Sequence, residues 1–418
     1  MAQPSVDNFD SRVIAIKASG TPTSASDSFE LFDGSCGVDV EVIERPRDSS
    51  TMTNDDFVVS KEIGFVEGAF ELAPPVTPGS SSGTAGQAPA ERALLPCALA
   101  LALSSVNSTS RYTPISTAIP TANVKFWQGG EYHLISNVNG NISSLEMVVG
   151  QKFRAGGFRV QGESTTVDED AVPTDGELDE FLEPATITYD NSVTRIFQGT
   201  STTALPLFVH GRSLVVDLGN EVASTEFTQL LKTGVRRRKG TFTLVIARTD
   251  LDDFDPWAVR RAGTIIRADM SVIDDDATRY SRLFIRGKIE GIQKTDTDGY
   301  YSWTITGRCL ASAAGGDDYG IEYGLDSLRL IGDLPDGTDD IAYSAQLSLQ
   351  GVYGGPVTYT VHSGALPTGL SLSSTTGVVS GTPTTADDYT FVIRATTTDI
   401  TGAAITADSA SQVVTIAA

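Results

Sequence analysis

Two stretches of this chain repeat one order of predicted elements, and this repeat constrains the fold more than any other feature. Each stretch contains a strand, a long polar loop, a G-x-F-x-L strand, a helix and closing hairpin strands. In the first stretch the strand is at 42–44, the loop at 45–67, the G-x-F-x-L strand at 68–72 and the helix at 93–103, and the closing strands end at 158–162. In the second stretch the strand is at 214–217, the loop at 218–239, the G-x-F-x-L strand at 240–245 and the helix at 254–262, and the closing strands end at 303–307. Similarity at so long a period indicates duplicated domains, because solenoid repeats are shorter.

The predicted elements are mainly strands. Phe242, Leu244 and Ile246 alternate with less apolar residues, which is the period of a half-buried strand. The sequence Asp-Thr-Asp-Gly at 296–299 separates two apolar runs, one with Leu283, Ile285 and Ile289 and one with Tyr300, Trp303 and Ile305, and predicts a hairpin over 282–306. Gly, Ser and Thr are abundant and long helical patterns are nearly absent, so the class is mainly β.

Two changes of amino-acid composition divide the chain into three predicted domains. An acidic stretch at 168–184 and a Gly/Ala-rich stretch at 311–318 both have the composition of linkers. The predicted domains are residues 1–184, 185–318 and 325–418. The most apolar run, 93–103, is too short to cross a bilayer, and residues 1–8 lack the features of a signal peptide, so no membrane insertion is expected.

An ordered series of motifs between residues 11 and 309 resembles the tail tube proteins of siphophages. The matching segments are GTAGQAPA at 83–90 with the following LLPCA, Tyr112-Thr113-Pro114, GGEYH at 129–133 with Gly129 in place of the family's aspartate, NGNI at 139–142 with Asn139 in place of arginine, Gly150, FRVQG at 158–162, and VDLGN at 216–220. Their order and spacing together carry the resemblance, since each motif alone is short.

The last hundred residues resemble immunoglobulin-like modules of bacterial surface and phage proteins. The matching segments are LPTGLSL at 366–372, TGVVSGTP at 376–383 and YTFVIRA at 389–395. Glycines and prolines in these segments predict turns, whereas Leu370, Leu372, Val378, Phe391 and Ile393, together with Tyr389, predict the inward faces of a β-sandwich.

The two resemblances imply a structural protein of a virus particle. The implied fold is two tandem tail-tube-type β-sandwich or barrel domains, each with a short helix, followed by an immunoglobulin-like sandwich. Such subunits assemble into stacked rings that form a hollow tube, and two tube domains per chain suggest a trimeric, pseudo-hexameric ring, with a hexamer as the alternative. The implied partners are further copies of the chain and the tape measure, tail terminator and distal tail proteins, in a virion made in the host bacterial cytoplasm.

The net charge of −23 shapes the expected contacts. An acidic surface opposes specific DNA binding, so viral DNA is expected to pass an acidic lumen without adhering. Within this acidic chain the run Arg236, Arg237, Arg238 and Lys239 lies in the predicted long loop before Gly240. We predict that it contacts carboxylates of another subunit, either Asp252, Asp253 and Asp255 or residues 274–276, and a solvated charged loop is the alternative.

The sequence offers no constellation for catalysis, a cofactor or a metal. The three cysteines, at 36, 97 and 309, lack metal-ligand or disulfide-framework spacing, and the histidines at 133, 210 and 362 are far apart. The tryptophans at 127, 257 and 303 lie among apolar residues and predict core positions. The chain is therefore not expected to be an enzyme. The alternative function is a host-surface or carbohydrate-binding tail-tip adhesin, with weak glycan contact by the C-terminal domain.

Overall fold

The structure is a computed structural model that describes most of the chain as strands. The described residues are 13–17, 20–22, 28–30, 32–45, 56–72, 101–106, 109–115, 119–128, 131–169, 185–199, 206–227, 230–274, 279–297, 299–312, 318–325, 328–351, 355–398 and 404–418. Within them the chain is mainly β with a C-terminal immunoglobulin-like domain, as predicted, and it contains one short helix, in the second half.

The first half is an antiparallel sheet. Its strands are β1 (Val13–Lys17), β2 (Ser28–Glu30), β3 (Phe32–Arg45), β4 (Asp56–Glu71), β5 (Leu101–Val106), β6 (Thr109–Pro114), β7 (Ala122–Gln128), β8 (Glu131–Val148) and β9 (Arg154–Glu169). Neighbouring strands pair in the order β2-β1-β7-β8-β9-β4-β3.

The second half repeats that arrangement. Its elements are β10 (Ser192–Gln198), β11 (Leu207–Val209), β12 (Gly211–Asp217), β13 (Asn220–Phe227), β14 (Leu230–Arg238), β15 (Thr241–Ala247), α1 (Pro256–Ala262), β16 (Ile266–Ile273), β17 (Arg279–Thr297), β18 (Tyr300–Cys309) and β19 (Tyr319–Leu325). The pairing order is β11-β10-β16-β17-β18-β15-β12, which matches the first half strand for strand.

One hydrophobic core serves both halves. A single cluster of buried side chains extends from Ile14 to Tyr323 and includes Phe242, Leu244 and Ile246, the alternating residues of β15. Strand β19 pairs with β17 on one edge and with β6 on the other, so it ties the second half to the first. The two halves therefore share one core cluster and are joined by strand pairing.

The helix of the second half has clear local signals at both ends. Asp255 caps it, because its carboxylate accepts hydrogen bonds from the backbone N–H groups of Trp257 and Ala258 at 2.9 and 3.0 Å. Pro256 occupies the first turn, where no backbone N–H is needed. Gly263 ends the helix in the left-handed conformation at φ 62°. The predicted hairpin around Gly299 also forms, and Tyr300 lies exposed near its tip.

The two predicted long loops are wrong. In the first half β3 and β4 form one long hairpin, of which residues 46–55 lie outside the described part. In the second half β13 and β14 form a hairpin of their own between β12 and β15. Backbone pairing between strands does not depend on an apolar period, so the mixed polar and apolar order of these segments did not indicate strands.

The predicted helix at 93–103 is wrong at its end. Residues 101–103 belong to strand β5, where Leu101 lies opposite Pro114 of β6, and residues 93–100 are outside the described residues. The short apolar run did not distinguish helix from buried strand, which is a known ambiguity of such runs. In the acidic stretch, residues 168–169 continue β9 and 170–184 are not described.

The C-terminal domain has a core of its own. Its strands are β20 (Arg329–Ile331), β21 (Gly337–Thr338), β22 (Tyr343–Gln346), β23 (Ser348–Gln350), β24 (Thr358–Gly364), β25 (Leu370–Leu372), β26 (Val378–Gly381), β27 (Asp388–Thr398), β28 (Ala404–Asp408) and β29 (Gln412–Ala417). Phe391 and Ile393 are buried as predicted, and Leu370, Leu372 and Tyr389 pack against them. Val379, not Val378, points inward, because the turn at Gly377 (φ 72°) sets the alternation of β26.

Candidate subunit interface

The two halves are joined by a strand pairing within the chain. Residues 213–217 of β12 pair antiparallel with residues 144–148 of β8, from Ser213 opposite Val148 to Asp217 opposite Ser144. The other edge of β8 is taken by β9, and β7 pairs with the N-terminal part of β8. An edge strand of the second half thus completes the sheet of the first.

Register fixes which residues of the two halves correspond. The similar segments FRVQG and WTITG end in Gly162 and Gly307. Gly162 lies opposite Gly64, and Gly307 lies opposite Phe242. Gly64 in turn lies opposite Val38 of β3, and Phe242 lies opposite Val216 of β12. Residues 35–39 (SCGVD) therefore correspond to residues 213–217 (SLVVD), which share Ser, Val and Asp. The sequence analysis aligned the two G-x-F-x-L strands, which matched Gly68 with Gly240. The register instead makes Gly68 equivalent to Ile246, so that alignment is displaced.

The same position is buried in one half and exposed in the other. Val216 has no exposed surface because β8, β15 and the core enclose it. Its counterpart Val38 is 38% exposed, and Val40 two residues on is 50% exposed. Residues 35–39 pair with β4 on one edge, and no described strand pairs with their other edge. This open edge with exposed valines has the properties of an unoccupied pairing surface.

Strand β17, the counterpart of β8, also has an open edge, which lies mostly before the positions equivalent to residues 144–148. The pairing of β17 with β16 ends at Gly287, whereas the pairing of β17 with β18 continues to Thr297. On the side of β17 where β16 pairs, residues 288–297 therefore have no described partner strand. Beside this edge, at the hairpin tip, Tyr300 and Tyr301 are 80% and 67% exposed. Two strand edges, one on β3 in the first half and one on β17 in the second, therefore have no described partner strand.

Ion pairs hold the backbone of the β3 edge in place. Arg159 of β9 contacts Asp39 at 2.6 Å and Glu67 at 2.9 Å, and its guanidinium lies 3.9 Å from the centre of the Phe65 ring. Ser35 donates a hydrogen bond to Glu67 at 3.1 Å. This network faces away from Val38 and Val40, so it fixes the strand without covering its apolar side.

The predicted basic run lies on a strand and not in a loop. Strand β14 includes Arg236, Arg237 and Arg238, and Lys239 follows it; the side chain of Arg236 is not described. Arg237 and Lys239 are exposed, whereas Arg238 donates a hydrogen bond to the carbonyl oxygen of Ile115 at 3.4 Å and lies over the Tyr319 ring. Arg238 therefore serves its own chain, and the two exposed cations remain candidates for a contact with another subunit.

The carboxylates predicted to contact this basic run also fall into two groups, those bonded within the chain and those exposed. Asp255 caps α1, and Asp274 forms a 2.7 Å ion pair with Arg279, so both have roles within the chain. Asp252 and Asp253 are exposed. Residues 275–278 lie outside the described part.

The turn at the end of β12 explains one family-like motif. Asp217 accepts a hydrogen bond from the N–H of Gly219 at 2.9 Å, and Gly219 has φ 56°. A Cβ atom there would lie 2.3 Å from the carbonyl oxygen of Lys239. The DLGN segment is thus a tight turn that starts the β13–β14 hairpin. Residues 83–90 and 129–130 of the other motifs are not described.

The thiols and aromatic residues have structural positions. Burial raises the pKa of the half-buried Cys36 thiol to about 11, and burial raises that of Cys309 further; Cys97 is not described. Trp127 and Trp303 are buried, and the half-buried Trp257 packs edge-on against Trp303. Among the described side chains, no group of three or more His, Cys, Asp or Glu is placed to hold a metal ion.

Sequence reasoning missed the two open edges. The available signal was the shared S-x-x-V-D pattern at 35–39 and 213–217, which marks β3 and β12 as equivalent. Which of these two strands is covered depends on the path of the chain in space, so the pattern alone was not sufficient.

Comparison with known proteins identifies one part of the chain. A family model described as "Putative Ig domain" matches residues 334–417, in agreement with the separate core of that region. No curated protein compared with the chain matches it. No helix among the described residues has the length and apolar character needed to span a bilayer.

Proposed function

We propose that this chain is a structural subunit of the tail tube of a long-tailed bacteriophage. Copies of it form rings, and the rings stack into the hollow tube through which viral DNA passes to the host. The proposal rests on the ordered tube-protein motifs of residues 11–309 together with the duplicated sheet, and it assigns no catalytic role.

The observation that carries the proposal is the β8–β12 joint. It shows that the C-terminal part of one half's long strand accepts the edge strand of the other half. A joint of the same kind between chains pairs residues 35–39 of one copy with the free edge of β17 in the next copy. Because each chain then offers one donor edge and one acceptor edge, the contact is heterologous and closes into a ring when the rotation per copy permits. Three chains give six similar joints, and a hexameric ring is the alternative.

The energetics favour this use of the edge. An exposed strand edge with apolar side chains promotes association unless it is covered or charged. Val38 and Val40 lie on the core side of β3, where Val216 is buried in the equivalent strand. Covering them in a ring buries apolar area at a gain of about 25 cal/mol per Å², besides satisfying the free backbone groups of both edges.

The remaining partners follow from the tube model. Tape measure, tail terminator and distal tail proteins contact the tube, and the lumen is acidic so that DNA does not adhere. Arg237 and Lys239 contribute to contacts with a neighbouring subunit through Asp252 and Asp253. The immunoglobulin-like domain lies on the tube exterior and contacts host-surface glycans weakly, with avidity from many copies.

Electron microscopy of the purified full chain, concentrated and aged, tests the proposal. Wild type is expected to form rings or hollow tubes. Val38→Lys places a charge on the open edge and is expected to abolish assembly while the monomer keeps its circular dichroism spectrum. The matched control is Val413→Lys, which adds the same charge at a 60% exposed valine of the C-terminal domain and is expected to assemble normally.

Normal tubes formed by Val38→Lys would exclude this edge as the joint. If wild type stays monomeric under all conditions, immunogold counting of the protein in phage particles decides between a tube subunit and a scarce component. Many tens of copies per particle support the tube, and a few copies contradict it.

A second candidate function is a host-surface or carbohydrate-binding tail-tip adhesin. The match of residues 334–417 to an immunoglobulin-like family supports it, because such modules occur in surface-binding proteins. A low copy number together with saturable binding to host cell-wall polysaccharide supports this function over the tube.

A further inference from the structure

The exposed aromatic side chains of the described residues all lie at one cavity in the second half. Tyr189, Tyr300 and Tyr301 are 90%, 80% and 67% exposed, whereas the other aromatic side chains that the structure describes are buried or partly buried. All three line a cavity of about 860 Å³. Exposed rings forgo the favourable transfer of apolar surface out of water, and grouped exposed apolar side chains commonly mark binding sites. The cavity is therefore a candidate ligand site.

The inner wall of the cavity is fixed by strands from both halves. Its apolar lining includes the buried Ile246 of β15 and the partly buried Val149, which follows β8. The backbone N–H of Val149 donates to the carbonyl oxygen of Arg212 at 2.9 Å, and the N–H of Ala247 donates to the carbonyl oxygen of His210 at 2.8 Å. These bonds hold the lining segment 210–212 between the two halves, so the cavity is formed before any ligand enters.

Hydrogen bonds also hold the segments that carry the tyrosines. The side chain of Asn191 accepts a hydrogen bond from the N–H of Thr188 at 2.8 Å, which closes the turn that contains Tyr189. The carbonyl oxygen of Tyr301 accepts from the N–H of Arg248 at 3.1 Å, so Tyr301 is tied to the segment after β15. With the backbone held and only two side-chain torsions per tyrosine, little conformational entropy remains to be lost on binding.

The polar lining consists of hydroxyl groups, one imidazole and one guanidinium group. Ser192, Thr194, Ser302 and His210 line the cavity together with the phenol groups of the tyrosines. The lining contains no Asp or Glu, although the chain carries a net charge of −23. A wall without carboxylates does not suit a cation, whereas hydroxyl groups both donate and accept hydrogen bonds. The polar groups therefore fit a neutral ligand that is itself rich in hydroxyl groups.

We propose that this cavity binds an oligosaccharide of pyranose sugars, with Tyr189 and Tyr301 as stacking surfaces and His210 and the lining hydroxyl groups as hydrogen-bond partners. A pyranose ring presents C–H groups on its faces and hydroxyl groups around its edge. Tyrosine matches both features, because its ring is apolar and its hydroxyl group is polar. The volume of about 860 Å³ lies within the range of about 300–1,000 Å³ that is common for small-ligand pockets.

The site is distinct from the strand edge proposed for ring assembly. Tyr300 and Tyr301 belong to β18, which pairs with one edge of β17, whereas residues 288–297 of β17 are open on the other edge. The C-terminal domain contributes none of the residues that line the cavity. Sugar binding here therefore goes beyond the tube function, and it differs from a glycan contact made by the immunoglobulin-like domain.

Isothermal titration of the freshly purified full chain tests the site. The probes are maltohexaose, cellohexaose and chitohexaose, with glycerol as the reference polyol. Wild type is expected to bind at least one hexaose saturably. Tyr189→Ala and Tyr301→Ala are each expected to weaken that binding by about tenfold or more, because each loses a stacking surface. Both variants should fold, since the two side chains are mostly exposed.

The matched control is Leu251→Ala, which removes a 51% exposed apolar side chain that does not line the cavity, and it should bind as wild type does. Tyr301→Phe keeps the ring and should bind more tightly than Tyr301→Ala. The proposal is wrong if wild type binds none of the three hexaoses saturably. It is also wrong if both alanine variants bind as tightly as wild type, which would place the sugar elsewhere on the chain. Because ring assembly is not measured, failure here leaves the tube proposal unaffected.

Discussion

The two halves of the duplicated sheet share one strand order but differ in what covers their edge strands. In the second half, β12 is covered by β8 of the same chain, and its valine is fully buried. In the first half, the equivalent strand β3 presents Val38 and Val40 to solvent. A duplicated fold can thus cover an edge strand in one half and leave the equivalent strand open in the other. Under the proposed ring, the buried joint is the structural template for the joint between copies.

The halves also differ in how they extend their long hairpins. The first half continues from core strand to extension through a bulge between Glu41 and Val42. The second half breaks at the corresponding point with the turn at Gly219 and starts a separate hairpin. The same topological position therefore tolerates a bulge or a turn, but only the turn requires a glycine.

The largest expected effect comes from placing a charge at each of the two equivalent valines. Val216→Asp buries an unpaired carboxylate and is expected to cost about 4 kcal/mol or more, which unfolds most of the protein. Val38→Asp lies at a partly exposed edge and should change the free energy of unfolding by less than about 1 kcal/mol while it prevents ring formation. Urea denaturation of both variants measures the difference. Equal destabilisation would mean that β3 and β12 have the same environment, against the comparison.

A smaller loss of stability is expected at the hairpin turn. Gly219→Ala is expected to cost about 2 kcal/mol or more, because alanine disfavours the positive φ and its Cβ would meet the carbonyl oxygen of Lys239 at 2.3 Å. The control is Gly150→Ala, which has φ 88° but open space around the added atom and so shows the backbone cost alone. Similar urea midpoints for the two variants would rule out the steric contribution at Gly219.

The smallest perturbation uses Cys36 as a reporter that needs no change in stability. In a Cys97→Ser background, a thiol reagent should label Cys36 slowly at pH 8. With a pKa of about 11, only about one Cys36 thiol in a thousand is ionised at that pH. Because the thiolate reacts, the rate should rise about tenfold per pH unit between pH 8 and 10 and should fall on ring assembly, as β3 becomes covered. A rate that levels off near pH 9 would indicate an ordinary exposed thiol, and labelling unaffected by assembly would argue against β3 as the joint.

Local patterns predicted the elements that pack on the core. The alternation in Phe242, Leu244 and Ile246, the Asp255 cap with Gly263 and the Asp-Gly turn at 298–299 are short-range signals, and the structure contains the strand, helix and hairpin that they indicate. The same logic failed for β13 and β14 and for residues 101–103. The segment that forms β13 and β14 has no regular apolar period, and a short apolar run fits strand and helix equally well.

By itself, the sequence determined the mainly β class, the duplication and the immunoglobulin-like module, because each depends on residues close together in the chain. The structure alone decided that β12 pairs with β8 and that β3 keeps an open edge. It also decided that five arginines from four strands share one face: Arg111, Arg195, Arg267, Arg282 and Arg286. These are relations between residues tens to hundreds of positions apart. They are set by strand register and chain path, which determine burial and charge proximity but leave no local pattern.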